Sequence, residues 1–406
     1  MNSQINNCPI TGDDTKFKYL DLGDFPLVNN LNNTREDSLN CERFPLSVSF
    51  YKQSRLTALD YVVDGKKLFQ NYLFKSEVNY PYIEHCKKMF SYIKEITNLF
   101  NDSLIIDIGG NDGTLLNSFR EVSDLKLNLL NIDPSINLTK ISEEKGIPTL
   151  CDFFSEEVSN KIGNKADVVV STNVFQHLKD INSFVKGVYN LLKDNGIWVL
   201  EFPYWIHDME TLQFDQIYHE HVYYYSIIPL NLMMKKHGLK IIRVQKQKIH
   251  GGTVRLVMAK ESSILSSDGS VDEYLKYEEK FDEEYYKEWD KRVNDHLDKC
   301  KNLIFDLKSK GYKIAGFGAA AKGCIFLNSI GIDYNHIDYI IDDTDIKQGK
   351  FIPGTGIEVV SRKKLKENKV DYIIILTHNF YEFIVDSVKK EYDGKFIVFL
   401  PDIKII

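Results

Sequence analysis

"SLIIDIGGNDGTLL", residues 103 to 116, decides how the chain is read. An apolar run ends in Asp107, a turn carries Gly109, Gly110, Asn111 and Gly113, and a helix-like stretch begins at Thr114. This is the strand, glycine turn and helix start of a nucleotide-binding α/β unit, where glycines admit a ligand that side chains would exclude. Working outward, "KLNLLNID", "ADVVVST" and "GIWVLEF" repeat the strand pattern, and the helical "INSFVKGVYNLLK" separates the last two. Such alternation predicts a parallel sheet. "LKIIRVQKQKIHGGTVRLVMA" then reads as two strands joined at His250, Gly251 and Gly252, so the sheet closes with an antiparallel pair.

A glycine turn alone serves dinucleotides and S-adenosylmethionine equally, and it also serves simply to pack a helix on a strand. Asp133, in "NIDPS" at the end of the second strand, is placed to accept hydrogen bonds from ribose hydroxyls of either cofactor. Two features favour S-adenosylmethionine. "DIGGNDG" departs from GxGxxG, and the closing antiparallel pair is typical of class I methyltransferases. "CDFFS", with Asp152, Phe153 and Phe154, and "STNVFQHL", with Asn173, fall where such enzymes line the adenine and the methyl donor. The expected centre of the chain is therefore a Rossmann-like, seven-stranded, class I methyltransferase domain of the α/β class that binds S-adenosylmethionine. An NAD(P) site is the alternative.

Residues 1 to about 65 read as irregular and rich in Asn and Asp, and residues 80 to 100 show helical periodicity. Residues 267 to 310 form a mixed-charge helical stretch with a thin apolar stripe, read as a connector. "YKIAGFGAAAKGCIFLNSIG", "IDYIIDD" and "VDYIIILTHN" then repeat the strand and glycine-loop pattern, so a second, Rossmann-like α/β domain closes the chain. The expected divisions are 1–75, 76–262, 263–310 and 311–406. With 406 residues and 43% hydrophobic content the chain has material for two or three cores. A net charge of −7 without a long Lys/Arg tract argues against nucleic acid as a partner. No apolar leader and no apolar run of membrane-spanning length occurs, from which a cytoplasmic protein with no membrane partner is expected. The six cysteines, at 8, 41, 86, 151, 300 and 324, form no CxxC pair and suit reduced thiols.

"DIGGNDGTLL", "FDQIYHEHVYYYS", "IHGGTVRL", "GFGAAAKG", "IDDTDIKQGKFIPGTGIEV" and "THNF" together make the chain resemble the C-methyltransferases of nucleotide-linked ketosugars, from about residue 45 to the C-terminus. That resemblance implies methylation of a carbon beside a ketone, for a branched deoxysugar or a surface polysaccharide sugar. Such a carbon must first lose a proton, which takes a base and a partner for the enolate oxygen. The resemblance implies that His221 is the base, that Tyr218 and Glu220 orient it or the sugar hydroxyls, and that His177 touches the substrate from the cofactor side. It also puts Tyr72, in "LFQNYLFKSE", in the active site, and has Lys322 of the second glycine loop meet the nucleotide diphosphate. His219, His250 and Arg255 are expected near the sugar. Glycines 251 and 252 equally suit any tight strand connection, and tyrosines 223 to 225 are expected mostly to pack.

The front of the chain departs from that family. Its relatives open with two CxxC pairs holding a structural zinc, whereas here Cys8 is followed by Thr11, and Tyr51 and Ser54 stand at the second pair. One thiol of four does not make a tetrahedral site, so no metal is expected. Sugar O-methylation, or nucleotide-sugar binding with weak or no catalysis, are the alternative functions; a monomer or homodimer is expected.

Overall fold

The structure is a computed structural model that describes residues 3–69, 76, 80–247 and 249–406. Tyr72 lies outside the described residues.

The central sheet has seven strands. From one edge they run Thr149–Leu150, Asn128–Ile132, Leu104–Ile108, Ala166–Thr172, Leu192–Pro203, Thr253–Lys260 and Leu239–Gln247. The first five are parallel, and Thr253–Lys260 runs antiparallel to both neighbours. Burial on both faces explains the apolar runs "VVV" at 168–170 and "IWVL" at 197–200, every residue of which is buried. The helix Tyr80–Ile96 covers one face with Met89, Phe90 and Ile93, against Phe119 of the helix Thr114–Val122.

The amino-terminal region is not irregular. Lys16–Pro26, Arg43–Tyr51 and Thr57–Leu59 form an antiparallel sheet, and its fourth strand is Tyr223–Tyr224 from far along the chain. "RFPLSVSFY" carries the β-branched and aromatic residues of a strand, but the strand that closes its sheet, Tyr223–Tyr224 on Thr57–Leu59, lies far away in sequence, which local pattern does not reveal. A division at residue 75 therefore cuts through this sheet. Cys8 Sγ donates to Ser54 Oγ at 3.1 Å and the Tyr51 hydroxyl to the Ile5 carbonyl at 3.1 Å, so hydrogen bonds tie this corner together.

The stretch read as a connector is a structural spine. Its helix Glu283–Ser309 starts at Asp282, whose carboxylate accepts the Tyr285 N–H. Tyr286, Trp289, Val293, Leu297, Cys300, Ile304 and Leu307 follow at three- and four-residue spacing and are all buried. They share one core with Tyr19 and Phe50 of the amino-terminal sheet, Trp205 of the central domain and Ile325 of the last domain. Each of the larger side chains contributes about 1.5–3 kcal/mol on burial. The thin stripe thus joins three parts of the molecule.

The carboxy-terminal domain has six strands, in the order Val359–Val360, Ile340–Ile341, Ile314–Phe317, Tyr372–Ile375, Lys395–Val398 and Lys404–Ile405. All pairs are parallel except the last. Among the described residues, no helix is long and apolar enough to cross a membrane.

Candidate active site

A cavity of about 690 Å³ opens at the carboxyl ends of the central parallel strands, the usual place for a ligand in such sheets. All three folded parts line it: Val62, Asp64 and Leu68 from the amino-terminal region, Gly109 to Asn111 from the central domain, and Ala320 to Lys322 with Asn379 from the last domain.

The glycine turn forms one wall. Gly109 and Gly113 have φ of +73° and +74°, and Asn111 shares this left-handed region at +55°. A Cβ on Gly110 would lie 2.2 Å from Asn131 Oδ1 and 2.6 Å from Asp107 Oδ2, so that position requires glycine. Asp133 lines the cavity and accepts the Asn111 and Ser135 N–H groups, each at 2.9 Å. Burial raises its pKa, and these hydrogen bonds work against the rise. Asp107 is fully enclosed beneath the turn, and among the described residues neither of its carboxylate oxygens has a hydrogen-bond partner. Burial, with Asp133 adding, pushes it up to about 8. Asp152, Phe153, Phe154 and Asn173 line the same wall, with Phe153 half exposed. Gly113 caps the following helix rather than facing the cavity.

Opposite lies the YHEH segment, which turns instead of extending: the His221 N–H reaches the Tyr218 carbonyl at 2.9 Å and the Val222 N–H the Gln176 carbonyl at 2.7 Å. The turn brings Tyr218 and His221 onto one side, ring centroids 4.1 Å apart, both lining the cavity. His221 Nδ1 lies 2.9 Å from the Gln216 carbonyl, which only accepts, so Nδ1 carries the hydrogen and Nε2 keeps its lone pair. That lone pair accepts the Tyr218 hydroxyl at 2.8 Å. His177 repeats the device, its Nδ1–H donating to the Glu220 carbonyl at 2.6 Å. Burial depresses both rings, His177 to about 4 and His221 well below its ordinary value with His177 adding, so both stay neutral. Lys322 enters from the other domain and donates to Gln213 Oε1 at 3.1 Å.

Three expected contacts lie elsewhere. His219 points away from the cavity, its Nε2 3.3 Å from the Phe44 carbonyl and its ring edge-on to Phe44; burial lowers it to about 4. Arg255 is buried between strands on Glu201 at 2.6 Å, which also holds His85 at 2.8 Å. Arg255 and Glu201 are direct cross-strand neighbours, so their ion pair braces the sheet. The Glu220 carboxyl does not line the cavity either; it takes the Asn29 amide at 2.6 Å, and burial raises it to about 7. His250 belongs to a short turn, Ile249–Gly251, and its side chain is outside the described set. Sequence reasoning did not single out Gln176, Gln216, Thr377 or Asn379, all on the cavity. Asn379 sits in the "THNF" motif, which was the available signal.

The strand order, the closing antiparallel pair and the glycine turn define a class I S-adenosylmethionine-dependent methyltransferase, and the orphaned Asp107 carboxyl with Asp133 suits a cofactor that carries an ammonium and a ribose. Residues 82–244 match the methyltransferase domain family, and residues 248–401 match the C-methyltransferase C-terminal domain family. The chain is 28% identical over 410 residues to C-methyltransferase NovU of Streptomyces niveus, spanning 99% of this chain and 97% of that relative. These matches support an S-adenosylmethionine-dependent methyltransferase, similar along its length to a C-methyltransferase. Similar solved structures include magnesium protoporphyrin IX methyltransferase from Synechocystis with bound S-adenosylmethionine, at 12% identity and TM-score 0.35 over 48% of this chain and 89% of that one. Another is mycolic acid cyclopropane synthase CmaA1 with S-adenosylhomocysteine, at 14% identity and TM-score 0.36 over 43% of this chain and 83% of that one.

Proposed function

We propose that the chain methylates a carbon beside the keto group of a nucleotide-linked ketosugar by base-catalysed enolisation. The observation that carries this reading is the hydrogen bond from the Tyr218 hydroxyl to the basic nitrogen of a neutral His221 on the cavity wall. The sugar C–H proton passes to the Tyr218 oxygen as the phenol proton moves onto His221 Nε2, and the C–H electron pair becomes the enolate. The Gln216 carbonyl then stabilises the imidazolium through Nδ1–H. His177, neutral and held through its own Nδ1, offers Nε2 toward a sugar hydroxyl. Bound S-adenosylmethionine supplies an electrophilic methyl group; the residues named here make the carbon nucleophilic. Asp133 serves the ribose, Asp152 to Phe154 the adenine, and Lys322, with the backbone at the start of the helix Ala321–Ser329, the diphosphate.

The test uses the full chain with S-adenosylhomocysteine and a panel of nucleotide ketosugars in deuterated water. One sugar should take up deuterium beside its ketone. Tyr218→Phe and His221→Ala should each slow exchange by about 10²–10⁴-fold while cofactor affinity stays within a few-fold. Methyl label recovered on a sugar oxygen, with no exchange at carbon, would mean O-methylation instead.

A further inference from the structure

S-adenosylmethionine ends in an amino acid, so the ammonium that Asp107 suits shares its carbon with a carboxylate. A carboxylate removed from water must find hydrogen-bond donors. The sheet face that carries Asp107 offers one. Asp107 and Val170 are direct neighbours on adjacent parallel strands, and Thr172, two residues after Val170, points to the same face nearer the cavity. Glu201 is the neighbour of Thr172 on the next strand. The helix Tyr80–Ile96 covers this face, and Tyr82 in its first turn lines the cavity with its hydroxyl 2.9 Å from Thr172 Oγ1.

A pair of hydroxyls carries two protons and uses one of them between its members. A phenol is the stronger acid and an aliphatic hydroxyl the better acceptor, so Tyr82 donates and Thr172 accepts. Burial, with Cys86 and Asp107 adding, holds the Tyr82 pKa well above the usual phenol value, so that proton stays on the phenol oxygen. Thr172 keeps its own proton for another acceptor, and its Oγ1 makes no other hydrogen bond among the described residues. Tyr82 is itself held. Its ring stacks on His85 with centroids 6.4 Å apart, His85 Nε2 lies 2.8 Å from Glu201 Oε2, and Arg255 Nε donates to Glu201 Oε1 at 2.6 Å. The buried ion pair that braces the sheet therefore also fixes the ring that orients Thr172.

We propose that the Thr172 hydroxyl receives the carboxylate at the amino-acid end of S-adenosylmethionine, and that Tyr82 is the positioning residue that aims it. Asp107 and Thr172, neighbours on one sheet face, then meet the two charges of a single amino acid. Donation from Tyr82 polarises the Thr172 hydroxyl and strengthens it as a donor. The first turn of the 17-residue helix that carries Tyr82 adds partial positive charge, which suits an anion.

Calorimetry on the full chain tests this with two ligands, S-adenosylhomocysteine and its decarboxylated form, which keeps the ammonium, the ribose and the adenine. Thr172→Val preserves shape and strand preference but removes the donor. It should weaken S-adenosylhomocysteine about tenfold and leave the decarboxylated ligand within about twofold. Thr172→Ser keeps a hydroxyl and should bind both ligands within a few-fold of wild type. Tyr82→Phe should weaken only S-adenosylhomocysteine, by about threefold, since it releases the Thr172 hydroxyl without removing it. Asp107→Asn should weaken both ligands alike, because both carry the ammonium. Equal losses for the two ligands in Thr172→Val would make the hydroxyl a structural or ammonium contact, and unchanged S-adenosylhomocysteine binding would take it out of the cofactor site; either result overturns the proposal. Should Thr172→Val fail to fold, Tyr82→Phe decides by the same comparison. Neither ligand is a sugar, so the outcome is independent of the substrate proposed above.

Discussion

The chain contains the strand, glycine-loop and helix pattern twice, and the two copies differ in what fills them. In the first, Asp107 has no hydrogen-bond partner among the described residues and the loop opens on the cavity. In the second, Gly318 has φ of +100° and Asp342 accepts the Ala319 and Thr344 N–H groups at 2.8 and 2.9 Å. Lys347 then lies 3.4 Å from Asp342 Oδ2 and donates to the Ala319 carbonyl at 2.9 Å. Asp342 thus takes two backbone N–H groups as Asp133 does in the first loop, and the second copy differs in setting Lys347 against that acid and in having Gly316, two places before its turn glycine, where the first has Asp107. A glycine loop that leaves a buried acid unpaired is built for a ligand, and one closed by an internal lysine is built for packing, with only its outer residues, Ala320 to Lys322, reaching the cavity.

The largest expected effect breaks the first loop. Gly110→Ala puts a Cβ against Asn131 and Asp107, and S-adenosylhomocysteine affinity by calorimetry should fall more than about 100-fold, since relieving the clash shifts the backbone that contacts the ligand. Gly318→Ala meets Thr377 Cγ2 at 2.7 Å and should cost stability while leaving that affinity within a few-fold. Equal losses of affinity in both variants would erase the distinction.

Asp107→Asn should act next. With its pKa raised to about 8 by burial, Asp107 is mostly protonated at pH 7, and its contribution to stability is lost as pH rises through that value. An ammonium seated in the turn favours the charged form, so binding at pH 7 should release a proton. Calorimetry in buffers of different ionisation enthalpy should show this release in the wild type and none in Asp107→Asn, with affinity about tenfold weaker in the variant. No release in the wild type would mean that Asp107 does not sense the ligand.

The smallest effect is expected in the second loop. Lys347→Met leaves Asp342 with its two backbone donors and should lower stability by about 1 kcal/mol, read by denaturant unfolding, without changing cofactor affinity. A variant that gained affinity for a nucleotide would show that the lysine blocks a competent site.

Much of this was legible because it is local. The first loop and the strands around it fall within short segments whose pattern carries their geometry, whereas Tyr218 and His221 share one segment but meet only through its turn. The amino-terminal sheet was not legible, because Arg43–Tyr51 and Thr57–Leu59 are completed by Tyr223–Tyr224. The spine helix was read as a connector because its stripe is narrow, and a narrow stripe is fully buried only when three separate partners converge on it.

The sequence by itself determined the α/β class, the glycine turn with Asp107 and Asp133, and the residue types that the cavity could draw on. Tertiary structure alone decided which of those residues face the cavity. His219 and His221 stand two apart, yet a single turn sends one onto Phe44 and the other to Tyr218. Arg255 lies beside the glycines of "IHGGTVRL", yet strand register gives it to Glu201. Side-chain direction depends on backbone turns and on partners distant in sequence, and neither is encoded in residue spacing.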